Sequence, residues 1–357
     1  MKVLYLTTVR VGNKGAQSLQ VQHMCNAFYH RLKKDFLLVS AHRTHICTLN
    51  TPYPSKFLSI PLWLPRIFQY VALLVLSFGC VKRFKPDVIY SRDIGVVLVY
   101  GFLGYRTVYE AHKHMTTVLG NMCLFFLRKK SRIVTNCDAL KQLFISRYHI
   151  PNTHIVAAHN GIDPKWIGGV EEKEKIRKKY FDISNPDQKI IIYSGSGQKG
   201  KGVDVVIAFA RALPEYRFFL FHHEGMYDAI TMPQNISFLG EHTHAEVMSF
   251  IKAADVLLLP NTAASLEYSL YTSPLKMFEY MVSGVPIVAS RIGSIIEVLN
   301  ERNAYLFDPN DIAEGIFHIR TICQNSIVAA QKSQQALTDV RQYTWDTRVQ
   351  AILTFLQ

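Results

Sequence analysis

The chain has 357 residues, with 40 Lys+Arg against 27 Asp+Glu for a formal charge of +13, and hydrophobic residues make up 49%. That length suggests two domains, and that apolar content excludes a disordered chain. Six cysteines in no CxxC pair or metal-type spacing exclude a disulfide framework and a zinc site, and they read as buried thiols in a reducing compartment.

From the N-terminus, the run before Arg10 is too short for a secretory signal. Strands are expected over residues 2–8, 36–41, 88–92, 107–112, 132–137 and 154–159, with helices over 16–32 and 139–147. In the second half the expected strands are 189–196, 217–223, 236–240, 256–260, 286–290 and 304–308. Continuous apolar strands without alternation, spaced by helix-length segments, point to parallel sheets covered on both faces. The expected fold class is α/β, with two Rossmann-like parallel-sheet domains, residues 1–165 and 166–343, facing across a cleft. Ligands of open parallel sheets bind at the carboxyl ends of the strands. The junction HNGID-PKW (residues 159–166) is strong turn punctuation, and the charged run 171–179 after it reads as the solvated face of a helix.

The charge is unevenly distributed. Residues 1–165 carry 22 Lys+Arg against 6 Asp+Glu, and residues 166–357 carry 18 against 21. The excess therefore belongs to the first half and suggests an anionic partner: nucleic acid, a membrane face or a phosphorylated substrate. Nucleic acid is disfavoured, because no zinc-finger, helix-turn-helix or RNP-like pattern is present. Residues 67–81 are apolar apart from Gln69 and Ser77, with Arg66 before and Lys82, Arg83 and Lys85 after. This run is shorter than the roughly 20 residues that span a bilayer. Two readings stay open: a helix buried against a sheet, or one lying in the membrane interface with its basic flanks on anionic headgroups.

Four segments carry candidate chemistry. In SLYTSPLKMFEYMVSGVPIVAS (residues 269–290), Ser273-Pro274 reads as a helix start with proline at the first helical position, and Gly284 as its stop. The free N–H groups there, with Lys276, suit a diphosphate at the positive end of a helix. Glu279 sits inside this apolar helix, where either ribose hydroxyls or simple exposure would satisfy it. YSGSGQKGKG (residues 193–202) is a strand and glycine-rich turn that includes Ser196 and Gly197, with Lys201 offered to phosphate. It fails the P-loop pattern but spells GxGxxG, with Glu224 beyond, so a dinucleotide site stays open. EAHKH (residues 110–114) places His112 at a strand end. RVGNKGAQSLQ (residues 10–20) leads through Gly12 and Gly15 into a helix. The absence of Gly-x-Ser-x-Gly, His-Glu-x-x-His and Asp-x-Asp weakens hydrolase and metal-dependent readings.

These segments, in this order, resemble family 4 of the retaining glycosyltransferases, which have the GT-B fold. AHNGID (158–163), IKAADVLLLPN (251–261) and YTWDTRVQAI (343–352) extend the resemblance, and residues 344–357 are similar to the family's last helix, which crosses back onto the first domain. SPLKMFEYMVSGVPIVAS resembles the branch that builds surface polysaccharides and glycans. The resemblance implies that Glu279 binds the donor ribose and that Ser273, Pro274, Leu275 and Lys276 meet the diphosphate. It implies that Lys201 stabilises the leaving phosphate, that His112 faces the donor sugar, and that Gly15 lines the cleft floor. Tyr271 stands where the family's first paired glutamate is usual, and Ser196 where an arginine is common. The expected activity is metal-independent transfer, without cofactor, from a nucleotide-sugar to a glycan or lipid-phosphate-linked acceptor. An anionic membrane is the expected surface, with a cytoplasmic, peripheral location at its inner face. The alternatives are an epimerase or hydrolase on the same scaffold, or a non-catalytic nucleotide-sugar or membrane-binding module.

Overall fold

Runs of buried aliphatic and aromatic residues form the strands, and the segments between them return the chain so that every strand pair is parallel. The computed structural model describes all residues except 13–14, 43–50, 62, 168–172, 184, 186, 196, 199, 222–231 and 266. It divides into one unit of Met1–His159 with Trp345–Gln357, and a second of Asn160–Thr344. The division falls at His159, a few residues before Lys165.

In the first unit the order is β1 (Val3–Thr7), α1 (Ala16–Leu32), β2 (Phe36–His42), β3 (Ser55–Ser59), α2 (Arg66–Phe84), β4 (Val88–Ser91) and α3 (Ile94–Phe102). It continues through β5 (Thr107–Ala111), α4 (Val118–Leu127), β6 (Arg132–Thr135), α5 (Asp138–Tyr148) and β7 (Ile155–Ala157). The sheet order is β3-β2-β1-β4-β5-β6-β7, so strand order reverses between β1 and β4. Right-handed crossovers place α1 on one face and α2 to α5 on the other. β3 had no counterpart among the expected strands, because SKFLS is an edge strand in which only Leu58 is buried.

The second unit runs α6 (Lys173–Phe181), β8 (Ile190–Tyr193), α7 (Val203–Ala212), β9 (Arg217–Leu220), β10 (Ile236–Phe238), α8 (His244–Ala253) and β11 (Val256–Leu259). Then come α9 (Leu275–Ser283), β12 (Ile287–Ser290), β13 (Tyr305–Phe307), α10 (Ile312–Gln324) and α11 (Ser326–Asp339), in the sheet order β10-β9-β8-β11-β12-β13. Ile190 and Ile192 pack into one core and Ile191 and Tyr193 into another, so helices cover both faces. The segments that enter and leave this unit are tied together, Ile162 N–H donating to Tyr343 O at 2.9 Å. The last helix, α12 (Trp345–Phe355), belongs to the first unit, where Trp345 stacks on His23.

Two expectations need correction. The run 171–179 is not wholly solvated: Arg177 is buried and donates to Asp255 Oδ2 at 2.7 Å and to Ala253 O at 2.9 Å, which staples α6 to the start of β11. The apolar run 67–81 is neither fully buried nor uniformly exposed. Leu73, Ser77 and Val81 of α2 face the core, and Val71, Val75 and Phe78 face outward. The described cysteines are all free, and Cys25, Cys80, Cys123 and Cys137 are buried.

Candidate active site

In the second unit the strand order reverses between β8 and β11, and the candidate residues gather at the carboxyl ends of these strands. The turn after β8 is built for close approach. A side chain at Gly195 would collide with Tyr193 Oη and Lys276 Nζ, and one at Gly202, whose φ is +85°, would lie 1.7 Å from Pro260 O. Only glycine fits both positions. Tyr193 Oη donates to Lys201 O at 3.0 Å and fixes the turn from inside.

α9 is positioned against that turn by its own side chains. Tyr280 Oη accepts from Ser194 N–H at 2.9 Å, and Lys276 Nζ stands over the Tyr193 ring at 4.0 Å. Pro274 is the residue that caps α9, so the helix starts one residue later than the sequence pattern placed it, and no side chain caps its first N–H groups. The preceding Ser273 is held by Asn160, whose Nδ2 donates to Ser273 O at 3.0 Å. Gly284, at φ 73°, terminates the helix in the left-handed region as expected.

The charges here are close and mostly shielded. Lys276 is buried, and its Nζ has no hydrogen-bond partner among the described residues. Burial and the Lys201 charge push the Lys276 ammonium well below the ordinary lysine range, while Glu279 opposes them. Glu279 is largely enclosed, and its Oε1 meets His244 Nε2 at 2.7 Å. His244 is the first residue of α8, behind a capping box made by Thr243 and Glu246, and its ring packs edge-on to Trp166. An ammonium without a hydrogen-bond partner among the described residues, a helix start that no described side chain caps and a second lysine together have the chemistry to take an anion, beside a carboxylate.

Tyr271 is fully buried in the turn before α9, Leu275 opens that helix, and Gly197 is half-buried in the β8 turn. Ser196 and Glu224 lie outside the described residues, so the dinucleotide reading built on GxGxxG has no described acidic partner.

In the first unit His112 follows β5 and lies in a network of buried polar groups. Its Nε2 is 3.2 Å from Glu110 Oε1 and from Gln20 Nε2. Tyr5 Oη donates to Glu110 Oε2 at 2.8 Å, Arg348 of α12 donates to Oε1 at 2.8 Å, and Arg92 donates to Gln20 Oε1. Burial works against a charged Glu110, but the hydrogen bond with His112 and the charges of Arg348 and Arg92 outweigh it and hold the carboxyl well below the usual range. Burial and then the Arg92 charge push His112 down to about 4, so the imidazole is neutral at pH 7. Gly15 caps α1 at φ 127° with open space beside it.

The His112 shift makes the stability of the fold depend on pH. Its folded pKa, about 4, lies below the ordinary 6.5, so the unfolded chain takes up the proton first on acidification. Stability contributed by neutral His112 is present above about 6.5 and is lost as pH falls towards 4. Urea midpoints should decline across that window, with a shallower decline in His112→Gln; equal slopes would contradict the shift.

The sequence reading pointed to Lys201, Lys276, Glu279 and His112 but not to His244, Asn160, Gln20 or Arg348. Thr243-x-x-Glu246 is a legible helix start that brings His244 to notice. Nothing local marks the others.

A family model described as Glycosyltransferase Family 4 matches residues 37–166, and one described as Glycosyl transferases group 1 matches residues 188–325. The chain belongs to the family 4 glycosyltransferases. Among curated relatives of this family 4 chain is sulfoquinovosyl transferase SQD2 of Arabidopsis thaliana, 23% identical over 82% of this chain and 59% of that protein. The D-inositol 3-phosphate glycosyltransferase of Mycolicibacterium smegmatis is 21% identical over 62% of this chain and 51% of its own length. The chain thus spans about half the length of the curated relatives it matches. Among solved structures, Anabaena Alr3699/HepE in complex with UDP superposes with a TM-score of 0.79 at 18% identity, over 100% of this chain and 99% of that one. WaaG, a glycosyltransferase involved in lipopolysaccharide biosynthesis, gives a TM-score of 0.72 at 14% identity over 98% of each chain. The two parallel sheets of this family 4 chain are those of the GT-B fold.

Proposed function

We propose that the chain is a retaining, metal-independent glycosyltransferase that moves a sugar from a nucleotide-sugar to a glycan or lipid-linked acceptor in surface-polysaccharide synthesis. The observation that carries this reading is the buried Lys276 ammonium, which has no hydrogen-bond partner among the described residues, beside Lys201 and the start of α9. A diphosphate would satisfy the Lys276 Nζ and the helix start, and its charge would restore the lysine proton that burial disfavours. Glu279, held by His244, would receive the donor ribose hydroxyls. Alr3699/HepE has been crystallised with UDP and with UDP-glucose, which favours a uridine diphosphate hexose as donor here.

The chemistry that such a site supports follows from charge. The bond between the anomeric carbon and the diphosphate oxygen breaks, the electron pair leaves with the phosphate, and Lys201 and the helix N–H groups stabilise it. The acceptor oxygen then bonds to the anomeric carbon on the same face and passes its proton to the departing phosphate. His112, neutral at pH 7, would accept a hydrogen bond from a sugar hydroxyl. The basic first unit suits an acceptor that lies at an anionic membrane. Among the described residues no helix is long and apolar enough to cross one, so attachment would be peripheral.

Calorimetry with UDP-, GDP- and other nucleotide-sugars tests the donor site. At least one should bind, and Glu279→Ala should weaken it by about 1.5–3 kcal/mol, the worth of a charge-assisted hydrogen bond. Equal affinity in the variant would remove Glu279 from the site.

A further inference from the structure

We infer that the outer face of α2, α3 and α4 is a docking surface for an anionic phospholipid bilayer; this rests on the reading above that the acceptor lies at a membrane. The crossover geometry places these helices on one side of the sheet, and they are neighbours. Ser77 of α2 bonds Tyr100 of α3 at 2.9 Å, and the Phe102 ring of α3 lies 6.3 Å from that of Phe126 in α4. Their outward residues are apolar. Val75 is 69% exposed, Phe102 59%, Val118 78% and Leu119 63%. Scattered exposed leucines are normal, but an apolar face continued over three adjacent helices marks an interaction surface.

Charge chooses the occupant. None of the three helices contains an Asp or Glu. Cations stand at the rim, seated on the exposed rings: Lys82 lies 4.6 Å from Phe78, Arg128 3.9 Å from Phe125, and Lys130 4.8 Å from Phe102. A face with an apolar centre, cations on aromatic shoulders and no carboxylate fits the boundary between acyl chains and anionic headgroups. Near such a surface each lysine or arginine strengthens attachment about fivefold. The apolar run 67–81 is therefore one strip of a broader face.

Flotation of the full chain with phosphatidylcholine vesicles, and with vesicles that also carry phosphatidylglycerol, tests the proposal. The wild-type chain should bind the anionic vesicles, lose binding as salt rises, and bind the neutral ones weakly. Leu119→Ser with Phe125→Ser, both exposed and so tolerated by the fold, should lower anionic-vesicle binding at least about tenfold, while Phe317→Ser on the second unit should leave it unchanged. Wild-type binding that ignores lipid charge, no wild-type binding, or a double variant that binds like wild type would overturn it. So would a concentration-dependent dimer that the double variant abolishes, since the face would then belong to a second copy. Transfer to a short soluble acceptor separates the two claims: it should persist in the double variant. Its absence from the wild-type chain, with vesicle binding intact, would count against the transferase reading and not against this surface.

Discussion

An Arg348→Leu chain is expected to lose about 3–5 kcal/mol of folding stability, the usual cost of removing one partner from a buried ion pair. The guanidinium and the Glu110 carboxylate meet at 2.8 Å with side chains 1% and 0% exposed, so water cannot replace the lost partner. Tyr5 and Gln20 would remain as neutral donors, and His112 would become the nearest source of compensating charge. Its pKa should then rise from about 4, and the acid-side loss of stability should weaken relative to the wild-type chain. Combining Arg348→Leu with Glu110→Gln should recover part of the stability, because the stranded charge is gone. Urea denaturation of the three chains reads all of this. A single variant as stable as wild type would show that the pair contributes nothing.

The second large effect is on turnover. If Lys201 stabilises the charge that builds on the leaving phosphate, Lys201→Ala should lower kcat by roughly two to three orders of magnitude, as loss of one pre-organised group does at other transition states. Donor affinity should fall much less, because α9 and Lys276 would still meet the diphosphate. Lys201→Arg should retain an intermediate rate, since charge is kept while reach and geometry change. Steady-state kinetics with purified donor and acceptor decide the matter, and an unchanged kcat in the alanine variant would end the assignment.

What the sequence makes legible follows from the range of the interactions. β8, β11 and β12 are short continuous apolar runs, and α9 is bracketed by Ser273-Pro274 and Gly284, so each can be read from neighbouring residues. β3 escapes because an edge strand needs few apolar residues. The face turned outward by α2 also escapes: a run apolar on every side has no period to separate core from surface. In the site, residue type alone brings Lys201, Lys276 and Glu279 to notice. The partner of Glu279 does not emerge, because His244 lies 35 residues away and meets it only when α8 packs on α9. Glu110 sits in full view two residues before His112, but its counter-ion is 238 residues further on.

That last separation bears on the order of assembly during synthesis. At usual translation speeds, a gap of 238 residues means that Glu110 leaves the ribosome about 10–50 seconds before Arg348 does. Throughout that interval β5 carries a carboxylate whose enclosure is costly, because its buried ion-pair partner has not yet been made. The second unit, made entirely of residues translated in between, has everything it needs to close first. The unit begun earliest is thus finished last, when α12 arrives, and a nascent chain that stops short of Trp345 strands its opening segment and not its most recent one.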